Sequence, residues 1–128
     1  VSTSLNGAGE DETTGTVQVL APLADIDDGG FAEAQATIDG DTASLILHRS
    51  GDCVRAWHNV CPHAGRRLDW SPGRFLKSRD GLLVCAVHGA SFETDQGVCV
   101  AGPCRGDRLS AVVVTLRDGM VVLVGSAG

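Results

Sequence analysis

The chain has 128 residues, the size of one compact domain, and a second core would be starved of apolar side chains. Hydrophobic residues at 43% and charged residues at 20% exclude a disordered chain, and an aromatic content of only 4% leaves the core to Val, Leu, Ile and Ala. A net charge of -6 argues against nonspecific binding to nucleic acid or an anionic membrane, and no apolar run approaches the roughly 20 residues of a membrane span.

Residues 1–15, VSTSLNGAGEDETTG, are small, polar and acidic and read as a flexible tail. They carry neither a basic nor an apolar signal-peptide region, so a cytoplasmic location is expected. In that reducing compartment the five Cys are expected to be metal ligands or buried small hydrophobes rather than a disulfide framework.

From residue 16 to residue 128 the pattern is that of a single all-β domain. Val17, Val19 and Ala21 alternate, Asp27-Asp28-Gly29-Gly30 turns the chain, and Phe31 to Ile38 is extended, with Glu33-Ala34-Gln35-Ala36 also compatible with a helical turn. Asp39-Gly40 signals a turn, after which Ala43, Leu45 and Leu47 share one face with Ser44, Ile46 and His48 on the other. Ser50-Gly51-Asp52 leads into a strand from Val54 to His58. Short strands are expected at Gly81–Val84, Ser91–Glu93 and Val98–Val100, and the β-branched runs Ala111–Leu116 and Met120–Val124 flank the hairpin signal Arg117-Asp118-Gly119. No segment sustains a helical period, so the expected architecture is a small antiparallel β-sandwich or barrel.

Three of the four His and all five Cys lie between Cys53 and Cys104, and two pairs stand out: Cys61-Pro62-His63 and Cys85-Ala86-Val87-His88. Two loops that each offer a thiolate and an imidazole can hold one zinc ion or a [2Fe-2S] cluster. The single residue between Cys61 and His63 chelates one tetrahedral ion poorly, whereas two irons can divide the ligands, Cys61 and Cys85 on the inner iron and His63 and His88 on the outer. Zinc stays the alternative. Cys99 and Cys104 are expected to pack as small hydrophobes, His48 and His58 to be surface or half-buried residues, and Trp57 and Trp70 to pack in the core or a loop, with Trp70 a candidate partner contact.

Cys61-Pro62-His63-Ala64-Gly65 followed by Cys85-x-x-His88-Gly89 resembles the Rieske iron-sulfur motif. The resemblance extends to Leu68 and to Gly102-Pro103, which matches the loop that covers the cluster in that family, and spans roughly residues 16 to 125. It implies a Rieske-like antiparallel β-sandwich or barrel with a cluster-binding subdomain at about residues 58–105. It also implies one [2Fe-2S] cluster as cofactor with Cys61, His63, Cys85 and His88 as its ligands. High-potential members of the family add a Cys to each ligand loop and place a Ser and a Tyr after the second His; here those positions are Arg66, Val87, Ala90 and Phe92. The disulfide and both hydroxyls are therefore missing, and a potential near the low end of the Rieske range, about -150 mV, is expected.

The function implied is that of a Rieske-type ferredoxin, passing single electrons from a reductase to an oxygenase or other acceptor. Rieske oxygenases append a substrate domain with a second iron site, and no His follows His88, so no substrate site is expected in this chain. A small redox subunit or sensor attached to a larger enzyme is the alternative. Charge is unevenly distributed: residues 1–60 hold ten acidic and two basic side chains, and residues 61–108 hold seven basic and five acidic. A basic tip formed by Arg66, Arg67, Lys77 and Arg105 is therefore expected to face an acidic redox partner.

Overall fold

The computed structural model describes residues 18–62, 65–86 and 89–126; the tail expected over residues 1–15 lies outside them. In chain order the elements are β1 (Gln18–Pro22), a 3₁₀ turn (Leu23–Asp25), β2 (Phe31–Ile38), β3 (Asp41–Ser50), β4 (Cys53–His58), β5 (Leu76–Lys77), β6 (Leu83–Val84), β7 (Ser91–Phe92), β8 (Cys99–Ala101), β9 (Ala111–Arg117) and β10 (Met120–Ser126). All pairings are antiparallel, in a six-stranded sheet ordered β1-β10-β9-β4-β3-β2 and a four-stranded sheet ordered β5-β6-β7-β8.

The hairpins form where their turn residues tolerate a left-handed backbone. Asp39 and Gly40 (φ 53° and 85°) join β2 to β3, and Asp118 and Gly119 (φ 53° and 76°) join β9 to β10, the two-residue turns whose twist matches the strands. Glu33–Ala36 is strand throughout, because in-register pairing from Phe31 with His48 to Ile38 with Asp41 gives the segment an eight-residue ladder to β3 that a lone helical turn could not match.

Register shifts at Val19/Ala21 in β1 and Leu123/Gly125 in β10 bend the large sheet towards closure. Its two edges are tied by one side chain. The Gln18 carboxamide donates to the Thr37 carbonyl and accepts the Thr37 N–H at 2.9 Å, in the manner of a ladder rung.

Inside the curved sheet, Ala34, Ala36, Leu45, Leu47, Ala56, Val112, Val121 and Leu123 form one core. The alternation expected for β3 holds, and its other face carries a second core. Leu45, Ile46, Leu47 and His48 are all buried, because Ile46 and the β4 residue Trp57 point away from the first core and carry the four-stranded subdomain on their backs. Ile46 and Trp57 meet there Cys61, Leu68, Leu83, Cys85, Ala90, Phe92, Cys99, Cys104 and Leu109. That second core positions the ligand loops.

Candidate metal centre

Cys61 and Cys85 are 0% and 1% exposed, both in the second core. Each begins a turn of the same design. Cys61 N–H donates to the Arg66 carbonyl at 2.7 Å while the Cys61 carbonyl accepts the Gly65 N–H at 2.8 Å; Cys85 N–H donates to the Ala90 carbonyl at 2.7 Å while its carbonyl accepts the Gly89 N–H at 2.9 Å. Gly65 and Gly89 close the turns at φ 66° and 73°, a conformation costly for any residue with a Cβ. A further bond, Ala86 N–H to the Leu68 carbonyl at 3.0 Å, fastens the second turn to the end of the first. His63 and His88, the other two expected ligands, lie outside the described residues.

The chemistry of this pocket suits a sulfur-ligated group. Two thiols, one from each turn, share an apolar surround of Leu68, Leu83, Phe92 and Leu109. Among the described residues no three or more His, Cys, Asp or Glu side chains gather into a metal-binding group, so Cys99 and Cys104 do not complete a four-thiolate site with Cys61 and Cys85. The residues present fit a cluster held by one Cys on each turn.

Cys99 and Cys104 are both 2% exposed, and the Cys104 thiol donates to Cys99 Sγ at 2.8 Å without a disulfide. Burial, with the neighbouring Cys99 thiol, pushes the Cys104 pKa up to about 12, so it packs as a neutral small group, as expected. The segment between them lies against the second turn: a Cβ at Gly102 would come within 2.8 Å of Ala90 Cα. Ala90 and Phe92, the positions without hydroxyls, are fully buried.

A polar network that sequence reasoning missed anchors the first turn. Buried Asn59 accepts the Leu68 N–H at 2.9 Å and donates to Ser44 Oγ at 3.2 Å; Ser44 Oγ donates to Glu33 at 2.6 Å. Arg67 Nη2 bridges Glu33 at 2.8 Å and Asp69 at 2.7 Å, and the Asp69 side chain is only 2% exposed. Burial alone would raise the Asp69 pKa, but the Arg67 guanidinium and the Gly73 N–H hold it below the usual carboxylate range. The one signal in the sequence was Glu33, the single charged residue of its strand.

This network corrects the expected basic tip. Arg67 is committed to Asp69 and Glu33, and Lys77 Nζ donates to the Gly29 carbonyl at 2.7 Å, beside the turn into β2. Arg66 and Arg105 are exposed, in the first turn and in the segment after Gly102. His58 is half-buried as expected, but His48 is 7% exposed, with Nδ1 3.1 Å from the Gly30 carbonyl and its ring 4.7 Å from that of Phe31. Trp57 is in the core; Trp70 is 58% exposed.

Comparison with known proteins agrees with this arrangement. The chain is 31% identical over 68 residues to the glycine betaine monooxygenase oxygenase subunit of Chromohalobacter salexigens, a match covering 53% of this chain and 14% of that protein. The chain thus spans about a seventh of the length of the curated relative it matches. Among solved structures, the ferredoxin of carbazole 1,9a-dioxygenase from Nocardioides aromaticivorans IC177 superposes with a TM-score of 0.67 at 23% identity, covering 87% of this chain and 99% of that one. The terminal oxygenase of the same system superposes with a TM-score of 0.69 at 21% identity, covering 89% of this chain and 31% of that one. These likenesses establish the fold, and no described helix is long and apolar enough to cross a membrane. The family profile for the Rieske [2Fe-2S] domain matches residues 16–118, which takes in both cysteine turns, and the chain therefore belongs to the Rieske family, whose cofactor is one [2Fe-2S] cluster.

Proposed function

We propose that Cys61, His63, Cys85 and His88 ligate the cluster, the thiolates on the inner iron and the imidazoles on the outer, and that the domain passes single electrons from a reductase to an oxygenase or other acceptor. The observation that carries this reading is the matched pair of turns, which hold Cys61 and Cys85 by the same two backbone bonds in one buried core. When bound, the cluster supplies a one-electron couple. The two cysteines supply anionic sulfur, and two neutral imidazoles in place of two further thiolates make an added electron easier to accept. Leu68, Phe92 and Leu109 keep water from the cysteine side, and the anchors on Asn59 and Leu68 hold the turns in place.

Absorption and EPR spectra of the purified and dithionite-reduced protein test the ligand set. A reduced signal with average g below that of all-cysteine clusters is expected, with loss of the cluster in Cys61→Ala and a lowered potential in His63→Cys or His88→Cys. Colourless protein with one bound zinc overturns it.

The match to an oxygenase subunit favours a second reading, in which this domain is the electron-entry module of a larger oxygenase. The mass of the native protein in its own cells separates the two. A band near the length of this chain supports the free carrier, located in the cytoplasm and without a substrate site of its own; a band several times larger supports the module.

A further inference from the structure

Outside the cysteine turns themselves, three of the chain's five Phe and Trp side chains gather at one cleft of about 380 Å³. Phe31 and Phe75 are half-buried, their ring centroids 6.2 Å apart, while Trp70 stands 58% exposed and Arg74 and Lys77 complete the lining. Leaving an indole in water is unfavourable, yet this one is held there by the design of the backbone. Trp70 N–H donates to the Arg74 carbonyl at 3.0 Å and Arg74 N–H to the Ser71 carbonyl at 2.7 Å, around a Pro72-Gly73 turn whose Gly has φ 77°. Asp69, fixed by Arg67, accepts the Gly73 N–H at 3.1 Å and locks the turn from beneath. The cleft is preformed, which lowers the entropy lost when something binds it.

Its charge is positive and available. The Arg74 guanidinium lies 5.9 Å from the centre of the Trp70 ring, and among the described residues neither Arg74 nor Lys77 has a carboxylate partner. The neighbouring Glu33 and Asp69 share Arg67, and the charged side chains that line the cleft itself are Arg74 and Lys77. The cleft also adjoins the candidate metal centre: Trp70 is two residues, at most about 7 Å of chain, beyond Leu68, whose carbonyl binds Ala86 next to Cys85.

An exposed Trp beside an Arg, on a rigid turn, is the composition of an interface anchor rather than of an ordinary surface. We propose that the Phe31–Trp70–Phe75 cleft, with Arg74 and Lys77, is a docking site for an acidic segment bearing an apolar side chain on the protein that exchanges electrons with this domain. The apolar side chain packs on Trp70 and Phe75, and the flanking carboxylates meet Arg74 and Lys77. This rests on the electron-carrier reading, and it displaces docking from a ring around the ligand loops to one side of them.

The test is protein-film voltammetry of the cluster-loaded protein on gold coated with a mixed carboxylate- and methyl-terminated alkanethiol layer, an acidic and apolar probe of known composition. At low ionic strength Arg74→Glu is expected to slow interfacial electron exchange by about tenfold and flatten its salt dependence, while Arg117→Glu, the same charge change outside the cleft, leaves it near wild type. Trp70→Ala is expected to slow exchange severalfold on the mixed layer but not on a purely carboxylate one. Solution potentials stay unchanged in all three. Wild-type exchange rates in Arg74→Glu and Trp70→Ala overturn the docking site. A wild-type protein with no redox wave in a solution titration overturns the electron-carrier reading instead.

Discussion

Gly102 is the point where backbone meets backbone over the second cysteine turn, and replacing it separates two costs that usually come together. Its φ of 99° is unfavourable for any residue with a Cβ, and that Cβ would sit 2.8 Å from Ala90 Cα and 3.4 Å from Ala90 N. Ala90 cannot retreat, because it is fully buried and its carbonyl holds the Cys85 N–H at 2.7 Å. Gly106, in the same segment, has a similar φ of 94°, but a Cβ there would meet nothing within 4 Å. Gly106→Ala should therefore carry only the conformational cost, about 1–2 kcal/mol. Gly102→Ala adds the cost of overpacking, about 1–3 kcal/mol, and the total is about 2–5 kcal/mol. At roughly 3–5 °C per kcal/mol for a domain of this size, the Tm should fall by about 3–10 °C for Gly106→Ala and by about 6–25 °C for Gly102→Ala. Circular dichroism melts give these values, and bleaching of the visible absorption under chelator reports on the second turn: it should quicken severalfold in Gly102→Ala alone. Equal melting temperatures and equal bleaching rates in the two variants would refute the idea that Gly102 is chosen for its contact with Ala90.

The remaining expectations concern potential, pH and the sheet edges. Ala90→Ser and Phe92→Tyr restore the hydroxyls of high-potential relatives; each bond to the cluster that strengthens on reduction by about 1 kcal/mol raises the midpoint by about 40 mV from about -150 mV, and a spectroelectrochemical titration showing no rise counts against the assignment of these positions. Burial, together with the positive charges of Lys77 and Arg55, lowers the His48 pKa although its bond to Gly30 opposes this; the unfolded state then binds the extra proton, and stability is lost as pH falls below about 6.5. Burial would raise the Glu93 pKa, but the N–H groups of Val98, Gln96 and Gly97 keep it low, as Arg67 does for Asp69, so a second loss begins as pH falls below about 4.3. Urea titrations across pH should show the first loss vanish in His48→Gln and the second persist. Gln18→Ala removes both side-chain bonds to Thr37 and should cost about 1 kcal/mol, because the pair is exposed; an unchanged urea midpoint would mean that the β1 and β2 edges are held without it.

Much of the fold was legible because alternation and turn chemistry act locally. Phe31–Ile38 is the predicted strand to the residue, and the Asp-Gly pairs at 39–40 and 118–119 close the predicted hairpins. Alternation assigned the two faces of β3, Leu45 and Leu47 on one and Ile46 on the other, but not that the second face would be covered. Burial of Ile46 comes from a subdomain more than ten residues further along the chain, and His48 is covered beside Gly30 and Phe31; nothing within β3 announces either. β5 was missed for a related reason: two exposed residues, Leu76 and Lys77, are strand only because Val84 and Leu83 pair with them.

At the site, the thiols were legible and their supports were not. Cysteine is rare enough that spacing identifies it, whereas Asn59, Ser44, Glu33 and Asp69 are ordinary polar residues until the fold brings four separate segments into one chain of hydrogen bonds. The same network changes the meaning of charge. Counting assigned Arg67 and Lys77 to a basic ring, but an arginine that holds two carboxylates is outweighed by them, and Lys77, bonded to the Gly29 carbonyl, places its charge at the cleft beside Trp70 instead. By satisfying Arg67 internally, the domain fixes the Asp69–Gly73 turn, and that turn lifts Trp70 and Arg74 into solvent. The charge withdrawn from one place is thus what makes another place rigid, so a partner that reads this surface is more sensitive to Arg74 than to Arg67, although both lie in the same stretch of sequence.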